Sequence, residues 1–165
     1  RLTGSFGDLR RSGLLRYRYD DARPRDYLGG WIEHLFLNAM PPSEASPRTT
    51  WHSRDGRYVL RPVDDAREQL TALLGLYREG LHRPIHFFPK SAWRYVSRDK
   101  RISEAIAAWR SSKFNAFAEE LDAAYRLALR GCDDPLDAEF IACATRVFAP
   151  LLDVIEDDRL KKAPE

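Results

Sequence analysis

Two kinds of apolar pattern occupy different parts of this chain, and their positions constrain the fold more than any single motif. Alternation typical of strands, together with turn signals, occurs only before Pro89, whereas later apolar residues repeat only at helical spacing. Strands and helices that alternate first, followed by helices alone, are typical of an α/β core with an α-helical C-terminal part. The 165 residues can bury such a core without a disulfide or a structural metal.

Six elements are predicted in the strand-bearing part of the chain. Two β-prone runs flank Asp55-Gly56, a pair that favours the positive φ angles of a type I′ hairpin turn. An apolar stripe at helical spacing follows, from Leu70 through Leu73, Leu74 and Tyr77 to Leu81. The predicted order is a strand over residues 12–19, a helix from Asp26 to about Ala39, hairpin strands over 48–54 and 57–63, a helix from Asp64 or Asp65 to Gly80, and a strand over 84–89.

Helical periodicity alone remains beyond residue 100. Apolar stripes predict three helices, over residues 102–109, 114–128 and 140–148. Gly131 is expected to end the second of them, and Pro150 is expected to break the third. The second part of the chain is therefore predicted to be helical throughout.

The charge of the chain is unevenly distributed. The formal net charge is +4 over residues 1–63, +3 over 64–110 and −5 over 111–165, although the whole chain carries only +2. Arginine supplies 22 of the 27 basic residues, and its planar guanidinium makes forked contacts with phosphate or carboxylate. A GC-rich genome would also raise the arginine content, so the asymmetry along the chain is the better indication of an anionic partner.

An early basic segment interleaves arginines with tyrosines. Arginine can contact phosphates while tyrosine stacks on an unpaired base, the combination expected where DNA strands separate. The alternative is that the arginines form an ordinary solvated strand face and the tyrosines belong to the core, which would leave a protein-interaction module without DNA contact. The predicted DNA-binding residues are Arg10, Arg11, Arg16, Tyr17, Arg18, Arg23 and Arg25.

Motifs for other chemistry are few. His82 and His86 have the spacing of metal ligands on a helix, but Pro84 between them should break that helix. Cys132 and Cys143 lie in an acidic region and predict inert thiols, and a reducing cytoplasm is the expected compartment. The sequence has no phosphate-binding glycine motif and no membrane-length apolar run. We therefore predict no metal, no cofactor, no small-molecule substrate and no membrane partner.

A helix, a three-strand meander, a helix and a final strand is the core order of the PD-(D/E)xK nucleases, and the pattern of this chain suggests such a core. That family holds Mg²⁺ between an acid on one strand and an (E/D)-x-K pair on the next, with the lysine assisting the attacking water. The second hairpin strand here has Arg61 where an acid is expected and Val63 where the lysine is expected. We therefore predict a degenerate nuclease-like core, a small mixed sheet flanked by helices, with no catalytic residue. The alternative is an active nuclease with displaced groups, drawn from Asp20, Asp21, Asp64 and Asp65 with Lys90 or Lys100.

Several stretches together resemble the C-terminal domain of the RecC family, the gamma subunit of exodeoxyribonuclease V. They occur in the family's order over roughly residues 3–96, and residues 77–80 with 84–93 behind them are the most specific. The matching stretches are residues 12–18, 31–35, 55–58, 77–80 and 84–93.

This resemblance implies a fold, a function and partners. It implies an inactive nuclease-like core over residues 1–96 with a helical extension over 97–165 packed on it, as a fragment of a longer subunit. It implies a non-catalytic scaffold of an ATP-dependent helicase–nuclease complex that processes double-strand breaks for recombinational repair in the cytoplasm. The implied partners are RecB-like and RecD-like subunits and DNA at the fork junction, where a pin-like element splits the duplex.

Overall fold

The computed structural model describes residues 3–156, which divide into two compact units. The first unit comprises residues 3–70 and 154–156, and the second comprises residues 71–153. The predicted division into a nuclease-like core over residues 1–96 and an extension over 97–165 stays a prediction. No helix within residues 3–156 combines the length and the apolar character that a bilayer crossing requires.

A mixed four-stranded sheet forms the centre of the first unit. Its strands are β1 (Leu9–Arg10), β2 (Gly13–Tyr17), β3 (Thr49–Ser53) and β4 (Gly56–Leu60), in that spatial order. The middle strands β2 and β3 are parallel, whereas the two outer pairs are antiparallel. Helix α1 (Pro24–Ala39) makes the crossover that a parallel pair requires.

Helix α1 packs on one face of this sheet. Leu14 on β2 is paired with Thr49 on β3, and both are buried on the face where His34 of α1 forms a hydrogen bond with Thr49. Leu15 and Val59 pair with the same β3 residue, and their side chains lie on the opposite face, where they are half-buried. Within the first unit, this opposite face is therefore the more accessible one.

Gly30 allows α1 to approach the sheet closely. A Cβ added at Gly30 would lie 2.7 Å from a ring carbon of Trp51 on β3, whereas one added at Gly29 would meet nothing within 4 Å. Glycine lowers helix propensity by about 1 kcal/mol relative to alanine. Packing against Trp51 therefore explains Gly30 but not Gly29.

Helix α1 begins two residues earlier than predicted. Its first residue is Pro24, because proline suits the first helical position, where a missing N–H costs no hydrogen bond. Asp26, predicted as the cap, lies inside the first turn, where its carboxylate accepts a hydrogen bond from the Arg23 backbone N–H at 2.9 Å.

The predicted hairpin is confirmed, but its turn is not type I′. Ser53 pairs with Gly56 across the ladder, so the loop consists of Arg54 and Asp55. None of these four residues has a positive φ. The Asp55 carboxylate instead accepts hydrogen bonds from the hydroxyls of Ser53 at 2.5 Å and Tyr58 at 2.8 Å. These side-chain bonds stabilise the loop without the left-handed backbone that the sequence pair favours.

Helix α2 (Ala66–Gly80) is confirmed, but its predicted apolar stripe is only partly buried. Leu70 of the stripe is buried, as is Leu76 outside it, whereas Tyr77 and Leu81 of the stripe are exposed. Tertiary packing, more than amphipathic spacing, sets which face of a short helix is covered.

Four further helices follow α2 along the chain. One of them was not predicted, because it begins at Pro89, the last residue of the strand predicted over residues 84–89. Pro150 lies inside the last helix and does not break it, contrary to the prediction. The helices are α3 (Pro89–Ser97), α4 (Ile102–Trp109), α5 (Ala123–Ala128) and α6 (Ala138–Val154), with a short 3₁₀ helix at Glu119–Leu121.

The strand predicted over residues 84–89 is wrong. Residues 84–88 are irregular and Pro89 begins α3, while Phe88 is buried in an aromatic cluster in the second unit. The ring centroid of Phe88 lies 4.3 Å from that of Trp109, 5.1 Å from Tyr125 and 6.0 Å from Phe140. A short apolar run between prolines is compatible with a strand or with a buried irregular segment, and only the packing partners decide between them.

The helix predicted over residues 114–128 is wrong in its first part. Only the 3₁₀ helix and α5 form there, and Phe114 and Phe117 lie outside both. Their side chains are exposed, so the helical spacing of these two rings marks no buried stripe.

The α/β class and the small mixed sheet are as predicted, whereas the PD-(D/E)xK nuclease-like core is not confirmed. The sheet is not the expected meander, because α1 joins β2 to β3 in parallel. The last strand of that core, expected over residues 84–89, is not formed.

Candidate nucleic-acid interface

A groove of about 530 Å³ lies on the accessible face of the sheet. The side chains of Leu15 and Val59 contribute to its apolar lining. His52 and Arg57, which are cross-strand neighbours on β3 and β4, lie beside them. Arg10 contributes a third polar side chain from β1. Alternation along paired strands therefore gathers basic and apolar groups on one surface.

The groove carries more positive than negative charge. Arg10, Arg48 and Arg57 line it together with a single acid, Glu156, which forms an ion pair with Arg48. In such a groove, the arginines can contact phosphates while the apolar surface between them accommodates sugars or bases.

The predicted arginines Arg16 and Arg18 are engaged in ion pairs on the α1 side of the sheet. Arg16 pairs with Glu33 of α1 and lies 3.6 Å from Asp8. The guanidinium of Arg18 donates a hydrogen bond to Asp26 at 2.9 Å. Both arginine side chains are part-buried, so their first role is to hold β2 and its extension to α1.

The other predicted residues are divided between different surfaces. Arg10 lies at the groove, and Arg11 is exposed in the β1–β2 turn. Arg23 pairs with Asp20 at 2.9 Å. Tyr17 is 60% exposed and, with Arg25, edges a shallow depression of about 310 Å³ on the α1 side. The structure therefore does not bring the predicted set together on one surface.

Sequence reasoning missed Arg48, His52 and Arg57 as members of the groove. His52 and Arg57 occupy alternate positions of the predicted hairpin strands, and that alternation was the available signal. Placing them beside Arg10 requires the parallel pairing of β2 with β3, which no local pattern indicates.

Arg61 and Val63, predicted to be degenerate nuclease positions, lie just beyond the end of β4 and are fixed by backbone hydrogen bonds. The backbone N–H of Arg61 donates to the Val154 carbonyl at 3.0 Å. The backbone N–H of Val63 donates to the Asn38 side-chain oxygen at 2.9 Å. Asn38 also donates to the carbonyl oxygens of His34 at 2.8 Å and Pro47 at 2.9 Å, so this strand end is bound to α1 and the loop after it.

His34 is fully buried beside this strand end. Its Nε2 lies 2.8 Å from the Arg61 carbonyl oxygen, which can only accept, so Nε2 carries the proton. Its Nδ1 therefore accepts from the Thr49 hydroxyl, also at 2.8 Å. Burial lowers the pKa of His34 to about 4, and the ring is neutral at neutral pH.

Three acids of the alternative nuclease hypothesis are bound to other side chains. Asp20 and Asp21 pair with Arg54, at 3.3 and 2.7 Å. The Asp65 carboxylate, at the start of α2, accepts a hydrogen bond from the Gln69 side-chain amide at 2.9 Å. Among residues 3–156, no group of three or more His, Cys, Asp or Glu side chains is arranged to hold a metal ion.

The two histidines with metal-ligand spacing lie outside any helix. His82 is exposed in the turn after α2, while His86 Nδ1 lies 3.1 Å from the Asp137 carboxylate. Cys132 is exposed and Cys143 is buried, and burial raises the pKa of the Cys143 thiol.

The family model described as the RecC C-terminal domain matches residues 1–100, more than half of the chain. The chain belongs to the RecC C-terminal domain family. No match was found among curated proteins. The RecC match covers the whole sheet, α2 and α3, whereas α4, α5 and α6 lie beyond it. RecC is a subunit of exodeoxyribonuclease V, so membership indicates a role in DNA repair or recombination as part of a complex with other subunits.

Proposed function

We propose that this chain is a non-catalytic scaffold and DNA-junction domain of a RecBCD-type helicase–nuclease complex, and that it contacts DNA through the groove on the accessible sheet face. The observation that carries this proposal is the convergence of Arg10, Arg48 and Arg57 around an apolar surface with one acid. RecB-like and RecD-like subunits are the proposed protein partners, and forked DNA is the proposed nucleic acid.

The strand end beside His34 supports a non-catalytic role. A metal-dependent nuclease needs carboxylates that converge on a cation and a group that assists the attacking water. Where the sequence pattern predicts an acid and a lysine, this chain has Arg61 and Val63, and neither a guanidinium nor an aliphatic side chain can ligate a cation. Asp20 and Asp21, offered as displaced acids, instead neutralise Arg54.

The chemistry of the groove favours phosphate contacts over sequence recognition. Arginines on a sheet surface can contact successive phosphates of a DNA backbone. The residues that line this protein groove include no helix that could enter the major groove of DNA and contact its bases. Binding by this chain alone should therefore be independent of sequence and weak, on the order of 10⁻⁴–10⁻⁶ M at physiological salt.

The test is the salt dependence of binding to forked DNA, measured by fluorescence anisotropy on Arg10→Ala/Arg57→Ala. Each lost phosphate contact should reduce the slope of log affinity against log salt by about 0.9, so the double change should flatten it by roughly 1–2 units. The matched control is Arg126→Ala/Arg130→Ala, which removes two exposed arginines from the second unit and should leave the slope unchanged. Equal slopes for the original chain and the groove variant would contradict the proposal and favour a protein-interaction module without DNA contact.

A further inference from the structure

Two phenylalanines of the second unit are presented almost completely to solvent. Phe114 is 88% and Phe117 is 90% exposed, and they lie three residues apart in the segment between α4 and the 3₁₀ helix. Single apolar residues are common on protein surfaces, but two aromatic rings presented together resemble the anchors of a binding interface.

The backbone that carries these rings is held by side chains from the same unit. The Asn115 side-chain amide donates to three carbonyl oxygens at the end of α4, at 3.0–3.1 Å. The Lys90 ammonium donates to Asn115 Oδ1 at 3.0 Å and to the Phe117 carbonyl at 3.1 Å. The loop is therefore pre-organised while both phenyl rings remain exposed, which lowers the entropic cost of binding.

Two glutamates near the rings accept hydrogen bonds from their own unit, whereas one exposed lysine lies against a ring. Glu119 points inward and accepts hydrogen bonds from the backbone N–H groups of Lys90 at 2.9 Å and Ser91 at 2.7 Å. Glu120 likewise accepts from Ser111. The exposed ammonium of Lys113 instead lies 4.8 Å from the centroid of the Phe114 ring. The hydrogen bonds from Ser111 lower the pKa of the Glu120 carboxylate, and Arg110, exposed at the start of the segment, is close enough for its charge to help lower it. Lys113 is therefore the exposed cation that lies against the Phe114 ring.

We infer that Phe114 and Phe117 anchor this chain to another protein subunit of its complex, by entering an apolar pocket whose rim is acidic. This inference rests on the multi-subunit assembly in the proposed function. Lys113, which lies against the Phe114 ring, would pair with the acidic rim, and such pairing fixes orientation and accelerates association.

The features around the rings favour a protein over nucleic acid or a second copy. The Lys113 ammonium lies 4.8 Å from the centroid of the Phe114 ring and covers a face on which a base would stack. The groove on the sheet face of a second copy is lined by arginines and does not complement Lys113.

The test uses the double variant Phe114→Ser/Phe117→Ser, assembled with the other subunits of the complex and measured by biolayer interferometry. Paired aromatic anchors predict a rise in the dissociation constant of roughly 30-fold or more. Because both side chains are exposed, the melting temperature should not fall. The matched control, Tyr77→Ser/Leu81→Ser, removes two exposed apolar side chains elsewhere in the unit and should retain the original affinity. Lys113→Glu should weaken assembly, with the larger effect at low salt.

Several outcomes would overturn this inference. They are unchanged assembly of the double variant, an equal loss in the control, loss of fork binding without loss of assembly, or loss of a homodimer detected by sedimentation. Failure of the unmodified chain to bind the other subunits would instead overturn the scaffold role in the proposed function. Binding of the unmodified chain with equal binding of the double variant would overturn the anchor alone.

Discussion

Acidification between pH 7 and pH 5 should weaken the folded first unit through His34. In the folded chain, Nε2 of this ring donates to the Arg61 carbonyl and Nδ1 accepts from the Thr49 hydroxyl. A protonated ring would lose the acceptor at Nδ1 and place a charge among fully buried neighbours. Folding is therefore coupled to the neutral form of His34.

The sign and the size of the effect follow from the two pKa values. The folded pKa of about 4 lies below the ordinary histidine value of about 6.5, so the unfolded chain binds more protons between them. The stabilising contribution of neutral His34 is fully present above pH 6.5. It is lost progressively as the pH falls from 6.5 to about 4. The linkage relation gives a loss in the free energy of unfolding of about 2 kcal/mol at pH 5, approaching about 3 kcal/mol at pH 4.

The assay is urea denaturation followed by tryptophan fluorescence at a series of pH values, for the original chain and for His34→Gln. The variant should be less stable at pH 7 by about 1–3 kcal/mol, because the buried Thr49 hydroxyl and the Arg61 carbonyl lose the hydrogen bonds that the His34 ring makes with them. It should also lack most of the acid dependence between pH 6.5 and 5, so the two stability curves should converge. His52→Gln is the control, since His52 is exposed on β3 and should keep the full dependence. Parallel curves for His34→Gln and the original chain, or an NMR titration of His34 near pH 6.5, would refute the reasoning.

Two further predictions concern the packing of α1 and the absence of catalysis. Gly30→Ala should lower the free energy of unfolding by about 1–3 kcal/mol, because its Cβ would overlap the Trp51 ring, whereas Gly29→Ala should raise it by up to about 1 kcal/mol; chemical denaturation of both variants checks this, and equal effects would contradict the close-approach argument. Purified chain should not cleave single- or double-stranded DNA with Mg²⁺ or Mn²⁺ in a gel assay, and cleavage that disappears in Asp64→Asn or Asp65→Asn would restore the nuclease hypothesis.

Local patterns predicted the elements whose signals are strong and short-range. The β3–β4 hairpin, α1, α2 and the main part of α6 lie where alternation or helical periodicity placed them. The signal failed over residues 84–89 and 114–121. In the first case, Phe88 packs in an aromatic cluster without strand partners, and in the second, two exposed rings happened to follow helical spacing. Periodicity reports which residues could share a face, but it does not report whether that face is covered.

The candidate site likewise has some features that follow from the sequence and others that depend on the tertiary structure. The sequence by itself determined that the early part of the chain is basic and that Arg16 alternates with Leu15 on one strand. It also predicted Arg61 and Val63 to be degenerate nuclease positions, which stays a prediction. Only the tertiary structure decided which arginines are held in ion pairs with α1 and which line the groove. That decision depends on the parallel pairing of β2 with β3 across the α1 crossover, an interaction between residues more than thirty positions apart. Such pairing is fixed by the burial of whole faces, which is a property of the assembled unit and not of any local segment.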